Sequence, residues 1–216
     1  MSETDRKARQ LLYCNLMSEI KGRLELVAFS VGSPPFSLAA RYEFGYLQLR
    51  MICEVIALAC LTAHGDVIAT KNPRLKEKWR AGEIIKGLEQ LHAGFFPVPV
   101  DQILDADGDL ESIRPLKNKN KYLSKNDLLS LYARCGDILH RGNLNDITPK
   151  NVTRDDLLKI AVWHNKILHL LNRHYIEMTD GNAIYIMMQA KETKRVTLLE
   201  LTRAGDPFVI ATPPLR

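Results

Sequence analysis

The stretch Tyr132-Ala133-Arg134-Cys135-Gly136-Asp137-Ile138-Leu139-His140-Arg141-Gly142-Asn143 decides how this chain folds. It reads as the last turns of a helix that brings an arginine, a histidine, a second arginine and an asparagine to one helix end. Gly142 supplies the stop after Arg141. Ser124-Lys125-Asn126-Asp127 opens the same helix: the hydroxyl accepts from a free backbone N–H, and the carboxylate favours the positive helix end. Leu128, Leu131, Tyr132, Cys135 and Leu139 then fall on one apolar stripe facing a core. Ser130, Arg134, Asp137 and Arg141 form a polar stripe. Ala133, Gly136 and His140 mark a third, narrow strip of small residues where a second backbone can come close.

The segments on either side also read as helices. From about Glu3 to Val31, Leu12, Leu16, Ile20, Leu24, Val27 and Val31 recur at helical spacing. Gly32-Ser33-Pro34-Pro35 ends that run, because proline cannot continue it. Ser37 caps a second helix that reaches about His64 and is closed by Gly65. This helix is apolar nearly all round, which belongs at the centre of a bundle. Arg50 and Glu54, four apart on it, share a face. They read either as a half-buried structural ion pair or as a pair that orients the motif histidine or arginine. A third helix covers Pro73 to His92, weakened by Gly82 and Gly87, and a last one runs from about Thr153 to Met178.

From Phe95 to Lys121 the periodicity is lost amid Pro97, Pro99, Gly108 and Pro115, which predicts a long loop. Its run Lys117-Asn118-Lys119-Asn120-Lys121 is either solvated or touches phosphates. After Thr179-Asp180-Gly181 the period becomes extended, and residues 183–190 and 195–202 read as a β-hairpin. The expected fold is therefore mainly α: a bundle of four to five helices over residues 1–178, with a small hairpin and extended tail over 179–216.

Composition allows this and adds bounds. A chain of 216 residues with 46% hydrophobic content can bury a sizeable core. The net charge of +5 suits an anionic partner without demanding one. The N-terminus lacks the pattern of a signal peptide, and the most apolar run, Met51 to Ala63, is short and interrupted by Glu54. Cys14, Cys53, Cys60 and Cys135 are scattered within helical patterns, as reduced core residues are. These readings predict a cytoplasmic protein with no membrane partner. Neither a glycine-rich phosphate loop, a nucleophile elbow nor a metal-spaced histidine pair occurs, since His164, His169 and His174 step around a helix instead of sharing a face. No cofactor and no metal are expected.

The motif helix carries the chemistry. His140 sits where the negative helix end favours imidazolium, and a histidine titrating near neutrality can take a proton from a ribose 2′-hydroxyl or give one to a leaving 5′-oxygen. An arginine close by can neutralise charge on the phosphorus. The bland alternative is a basic helix end favoured simply by the dipole.

Five residues separate Arg134 from His140, and Asn143 follows. This resembles the arginine–histidine signature of the HEPN superfamily (higher eukaryotes and prokaryotes nucleotide-binding), in which four to six residues lie between the two. The order of helices, with Leu47 to Ala59 before the motif helix and a further long helix after it, is similar too. The resemblance implies a metal-independent endoribonuclease of a prokaryote or phage, a toxin or defence effector that cleaves RNA by 2′-hydroxyl attack. Arg134 and His140 would be catalytic, with Asp137, Arg141, Asn143, Arg50 and Glu54 supporting or binding substrate. It implies a homodimer through the motif helix, so that two motifs line one cleft, and a possible antitoxin or other protein partner. The alternative is a non-catalytic dimer that binds RNA, nucleotide or protein. One position departs: the residue after the arginine is often Asn, Asp or His, and here it is Cys135. The apolar stripe turns Cys135 inward, so the polar helper is absent or replaced by Asp137.

Overall fold

The computed structural model describes residues 3–32, 35–107, 110–140, 151–190, 193–202 and 209–210. A layer of helices is built around one central helix and backed by an antiparallel sheet. The helices are α1 (Glu3–Val31), α2 (Leu38–Ala63), α3 (Gly65–Lys71), α4 (Ala81–Leu91), α5 (Lys125–Leu139) and α6 (Arg154–Leu171). Helix α2 packs against α1, α4, α5 and α6. It is long and apolar enough to cross a membrane by length and composition, but those apolar residues face its neighbours: Leu49, Ile52, Cys53, Ile56, Ala57 and Cys60 are fully buried. Emptying a site such as Ile56 by substitution with alanine costs about 2–5 kcal/mol. Ser37 caps α2 as expected, its hydroxyl accepting from the Ala40 N–H at 3.2 Å. Gly65 does not close the chain after α2 but begins α3, with His64 shared between the two helices. The buried row of α1 is Tyr13, Met17, Ile20, Leu24 and Val27, so Leu12 lies on its exposed side.

The expectation of a helical bundle with one small hairpin is wrong. Six strands form one sheet in the order β2-β1-β3-β4-β5-β6, every neighbouring pair antiparallel. They are β1 (Val98–Leu104), β2 (Leu110–Pro115), β3 (Arg173–Glu177), β4 (Ala183–Met187), β5 (Thr197–Thr202) and β6 (Val209–Ile210). The hairpin read over residues 183–202 exists as β4 and β5, but it is the middle of this sheet.

Three misreadings follow from local chemistry. The supposed loop 95–121 holds β1 and β2, whose prolines lie where a ladder tolerates them. Pro115 ends an edge strand, and Pro99 lies where β1 passes from pairing with β3 to pairing with β2. The last helix stops at Leu171, because Arg173-His174-Tyr175-Ile176-Glu177 alternates in burial and runs as a strand. The helix expected over Pro73 to His92 is broken: Pro73–Glu77 is a 3₁₀ turn, Lys78 to Arg80 are extended, and α4 begins at Ala81. At Gly87 the turn packs directly on α4, and a Cβ there would lie 2.5 Å from Leu75 Cδ1.

The sheet buries both faces. Ile176, Ile184, Ile186 and Leu198 join the helical core. On the other face Val100, Ile113, Tyr185, Leu199 and Leu201 form a second cluster. That cluster is covered because the sheet curls until its two edges, β2 and β6, approach one another. Strand β4, central in the sheet, is consequently apolar along its length instead of alternating. Polar bolts tie the layers together. The buried Tyr13 hydroxyl of α1 lies 2.8 Å from Nε2 of the buried His174 on β3. His64 Nε2 and His92 Nε2 both meet the Glu177 carbonyl, at 3.1 and 3.0 Å.

Candidate functional site on the fifth helix

Helix α5 starts with a reciprocal cap. The Ser124 hydroxyl accepts from the Asp127 N–H, and the Asp127 carboxylate accepts from the Ser124 N–H, both at 3.1 Å. Lys166 of α6 reaches the same carboxylate at 3.2 Å and fixes this end of α5 against its neighbour. With the start fixed, helical period sets the rest. Leu128, Leu131 and Cys135 are buried, while Tyr132 and Leu139 are half-buried, as the apolar stripe predicted. Burial pushes the Cys135 thiol up to about 12, so it is a neutral core group and no helper to a proton transfer.

The opposite side of α5 presents Ala133, Arg134, Asp137 and His140 to solvent. Arg134 Nε–H donates to the Tyr46 hydroxyl at 3.1 Å, and its guanidinium lies 5.9 Å from the Tyr46 ring. Tyr42 braces Tyr46 edge-on at 4.8 Å. Accepting from Arg134, the Tyr46 hydroxyl holds the guanidinium firmly charged. Among the described residues no carboxylate pairs with Arg134, so neutral groups position it and its charge is left for another anion.

His140 is the C-cap residue, its backbone N–H donating to the Gly136 carbonyl at 2.9 Å, and its side chain is exposed. The six-residue step from Arg134 to His140 turns through about 240°, so one copy of α5 does not stack the two side chains. Asp137 is exposed and has no side-chain partner among the described residues. Arg141 and Asn143 lie outside the described residues.

Arg50 and Glu54 do pair, at 3.3 Å, and the pair is carried to α5. The Tyr132 hydroxyl donates to Glu54 Oε1 at 3.1 Å, and the Arg50 guanidinium lies 5.0 Å from the Tyr132 ring centre. Arg50 also fills the space beside Gly136, where a Cβ would stand 3.7 Å from its Nη1. The hydrogen bonds of the pair therefore run to Tyr132, with neither Arg134 nor His140 among their partners.

Sequence reading gave no positioning role to Tyr42, Tyr46 or Tyr132. Tyr42, Tyr46, Arg50 and Glu54 recur every fourth residue, so they form one row along α2 that faces α5. Tyr42 and Tyr46 read as apolar, and their hydroxyls carried no signal until the partner helix was known. The other histidines belong to the frame. His174 is fully buried and held down to about 4, and burial likewise pulls His64 below its ordinary value. Among the described residues no group of three or more His, Cys, Asp or Glu is placed to hold a metal ion.

Comparison with family models, with curated proteins and with solved structures gave no match to this chain.

Proposed function

We propose that the chain is a metal-independent endoribonuclease of HEPN type, acting as a homodimer in which two copies of α5 bring Arg134 and His140 to one cleft. The observation that carries this reading is the state of Arg134: exposed, oriented by Tyr46, and paired with no carboxylate among the described residues. A guanidinium steered by a neutral hydroxyl retains its charge for phosphate. His140 stands exposed at the end of the same helix. Rotation along α5 keeps the two side chains apart within one chain, which supports a cleft shared between copies. The exposed Ala133 lets a second helix approach there.

In this reading one His140 takes the proton of a ribose 2′-hydroxyl. The 2′-oxygen attacks the adjacent phosphorus, the P–O5′ bond breaks, and the imidazolium gives the proton it took up to the leaving 5′-oxygen. Arg134 balances the charge that builds on the phosphoryl oxygens. The products are a 2′,3′-cyclic phosphate and a 5′-hydroxyl. A toxin or defence role, with an antitoxin as partner, fits such an activity. The test is an RNA carrying one deoxyribose at the cleaved position: that site resists while its neighbours are cut, and EDTA leaves the rate unchanged.

The buried, neutral Cys135 favours a second reading, a dimer that binds RNA, nucleotide or protein without cutting. Binding of RNA with no cyclic-phosphate product would establish it.

A further inference from the structure

Trp79 is 64% exposed, and among the described residues it is the sole large hydrophobic side chain left open between Leu58 and Ile103. It sits in the extended segment between the 3₁₀ turn Pro73–Glu77 and α4, a place where the chain had no need of a large aromatic for packing. Arg80 lies 5.1 Å from the indole centre, so one face of the ring already carries a cation. Basic residues cluster near it in sequence, with Glu77 and Glu83 among them. Lys78 and Arg80 share Glu83, at 3.0 and 3.6 Å, whereas Lys71, Arg74 and Lys76 are exposed and without side-chain partners among the described residues.

This segment adjoins the candidate site. The backbone N–H of Ala81, two residues after Trp79, supports the Tyr132 hydroxyl, which in turn holds Glu54 and meets Arg50. Tyr132 is eight residues before His140 on α5, roughly 12 Å along the helix axis. The segment that carries Trp79 thus touches α5 through Ala81.

We propose that Trp79, backed by Arg80 and flanked by Lys71, Arg74 and Lys76, is a docking platform for single-stranded nucleic acid that anchors the RNA beside α5. The inference rests on the ribonuclease reading for the identity of the strand, though its chemistry is independent of cleavage. An exposed indole stacks on any base, and unpaired cations around it hold the backbone without regard to sequence. A duplex keeps its base faces inside the stack, so the platform selects unpaired strands. A lipid surface fits less well, because interfacial segments bury a continuous apolar face and here one aromatic stands among charges.

The experiment titrates a labelled oligothymidylate, which has bases and phosphates but no 2′-hydroxyl to attack, with the full chain. Trp79→Ala should weaken binding about 5- to 150-fold, as loss of a stacked base does. Trp79→Phe should recover most of the affinity, and Arg74→Gln with Lys76→Gln should flatten its dependence on salt. Equal binding by Trp79→Ala overturns the proposal. So does tight binding to phosphatidylserine vesicles, with a blue-shifted indole emission, by a protein that ignores the oligonucleotide. If oligothymidylate binds through Trp79 while RNA is never cut, the ribonuclease reading falls and the platform stands. If RNA is cut with the same KM by wild type and Trp79→Ala, the platform falls alone.

Discussion

Acid should unlock the chain at the junction of α1 and β3, and His174 sets the scale. Its Nδ1 lies 2.9 Å from the Leu171 carbonyl, which can only accept, so that nitrogen carries the proton. Nε2 must then accept from the Tyr13 hydroxyl at 2.8 Å. Burial pushes the Tyr13 phenol well above its ordinary range, so it stays a neutral donor throughout. Protonating Nε2 puts a charge in a site with no solvent and sets two donors against each other. That is why His174 is held down from 6.5 to about 4. Above pH 6.5 both folded and unfolded chains keep it neutral. Between 6.5 and 4 only the unfolded chain takes up the proton, so stability falls as the pH falls. The full difference amounts to about 3 kcal/mol, of which roughly 2 kcal/mol is spent by pH 5. Urea unfolding at pH 7 and pH 5 measures the loss, with His174→Gln beside the wild type to subtract every other titrating group, His64 included. The wild type should lose roughly 2 kcal/mol more than the variant over that interval. Equal losses would show that His174 does not carry the acid sensitivity.

Two glycines should respond oppositely. Gly87→Ala drives a Cβ into Leu75 and should cost about 1–3 kcal/mol, whereas Gly136→Ala meets only Arg50 at 3.7 Å and should stabilise the monomer by up to about 1 kcal/mol, both read by urea unfolding. Ala133→Leu should weaken the proposed dimer with helicity retained; wild type that sediments as a monomer at micromolar concentration would count against that interface. Tyr46→Phe keeps the ring beneath Arg134 but removes the hydroxyl, and should lower kcat for RNA cleavage about 10- to 100-fold with little change in KM. Arg134→Lys should be impaired as well, because an ammonium cannot match a guanidinium fork against phosphate oxygens.

What the sequence disclosed and withheld divides along physical lines. Capping chemistry and period 3.6 are local, so Ser37, Ser124 and the inward turn of Cys135 were readable from neighbouring residues alone. Strand pairing is not local. Arg173 to Glu177 extend because they pair with Ala183 to Met187 and because His174 finds Tyr13, 161 positions away. Pro99 and Pro115 argued for a loop until the sheet supplied an edge and a change of partner for them. In the candidate site the Arg50–Glu54 pair and the outward turn of Arg134 were legible in advance. The tyrosines that position them became visible only when α2 and α5 were set side by side.

The proposed RNA-cutting site is the one that Arg134 and His140 form. Its most direct test is cleavage of a single-stranded RNA in EDTA by purified wild type and His140→Ala, with the ends of the products identified. Wild type should release 2′,3′-cyclic phosphate ends, and His140→Ala should be slower by about 10²- to 10⁴-fold, as the loss of a general acid or base predicts. Wild type that leaves the RNA intact, or His140→Ala that cuts as fast, would contradict it.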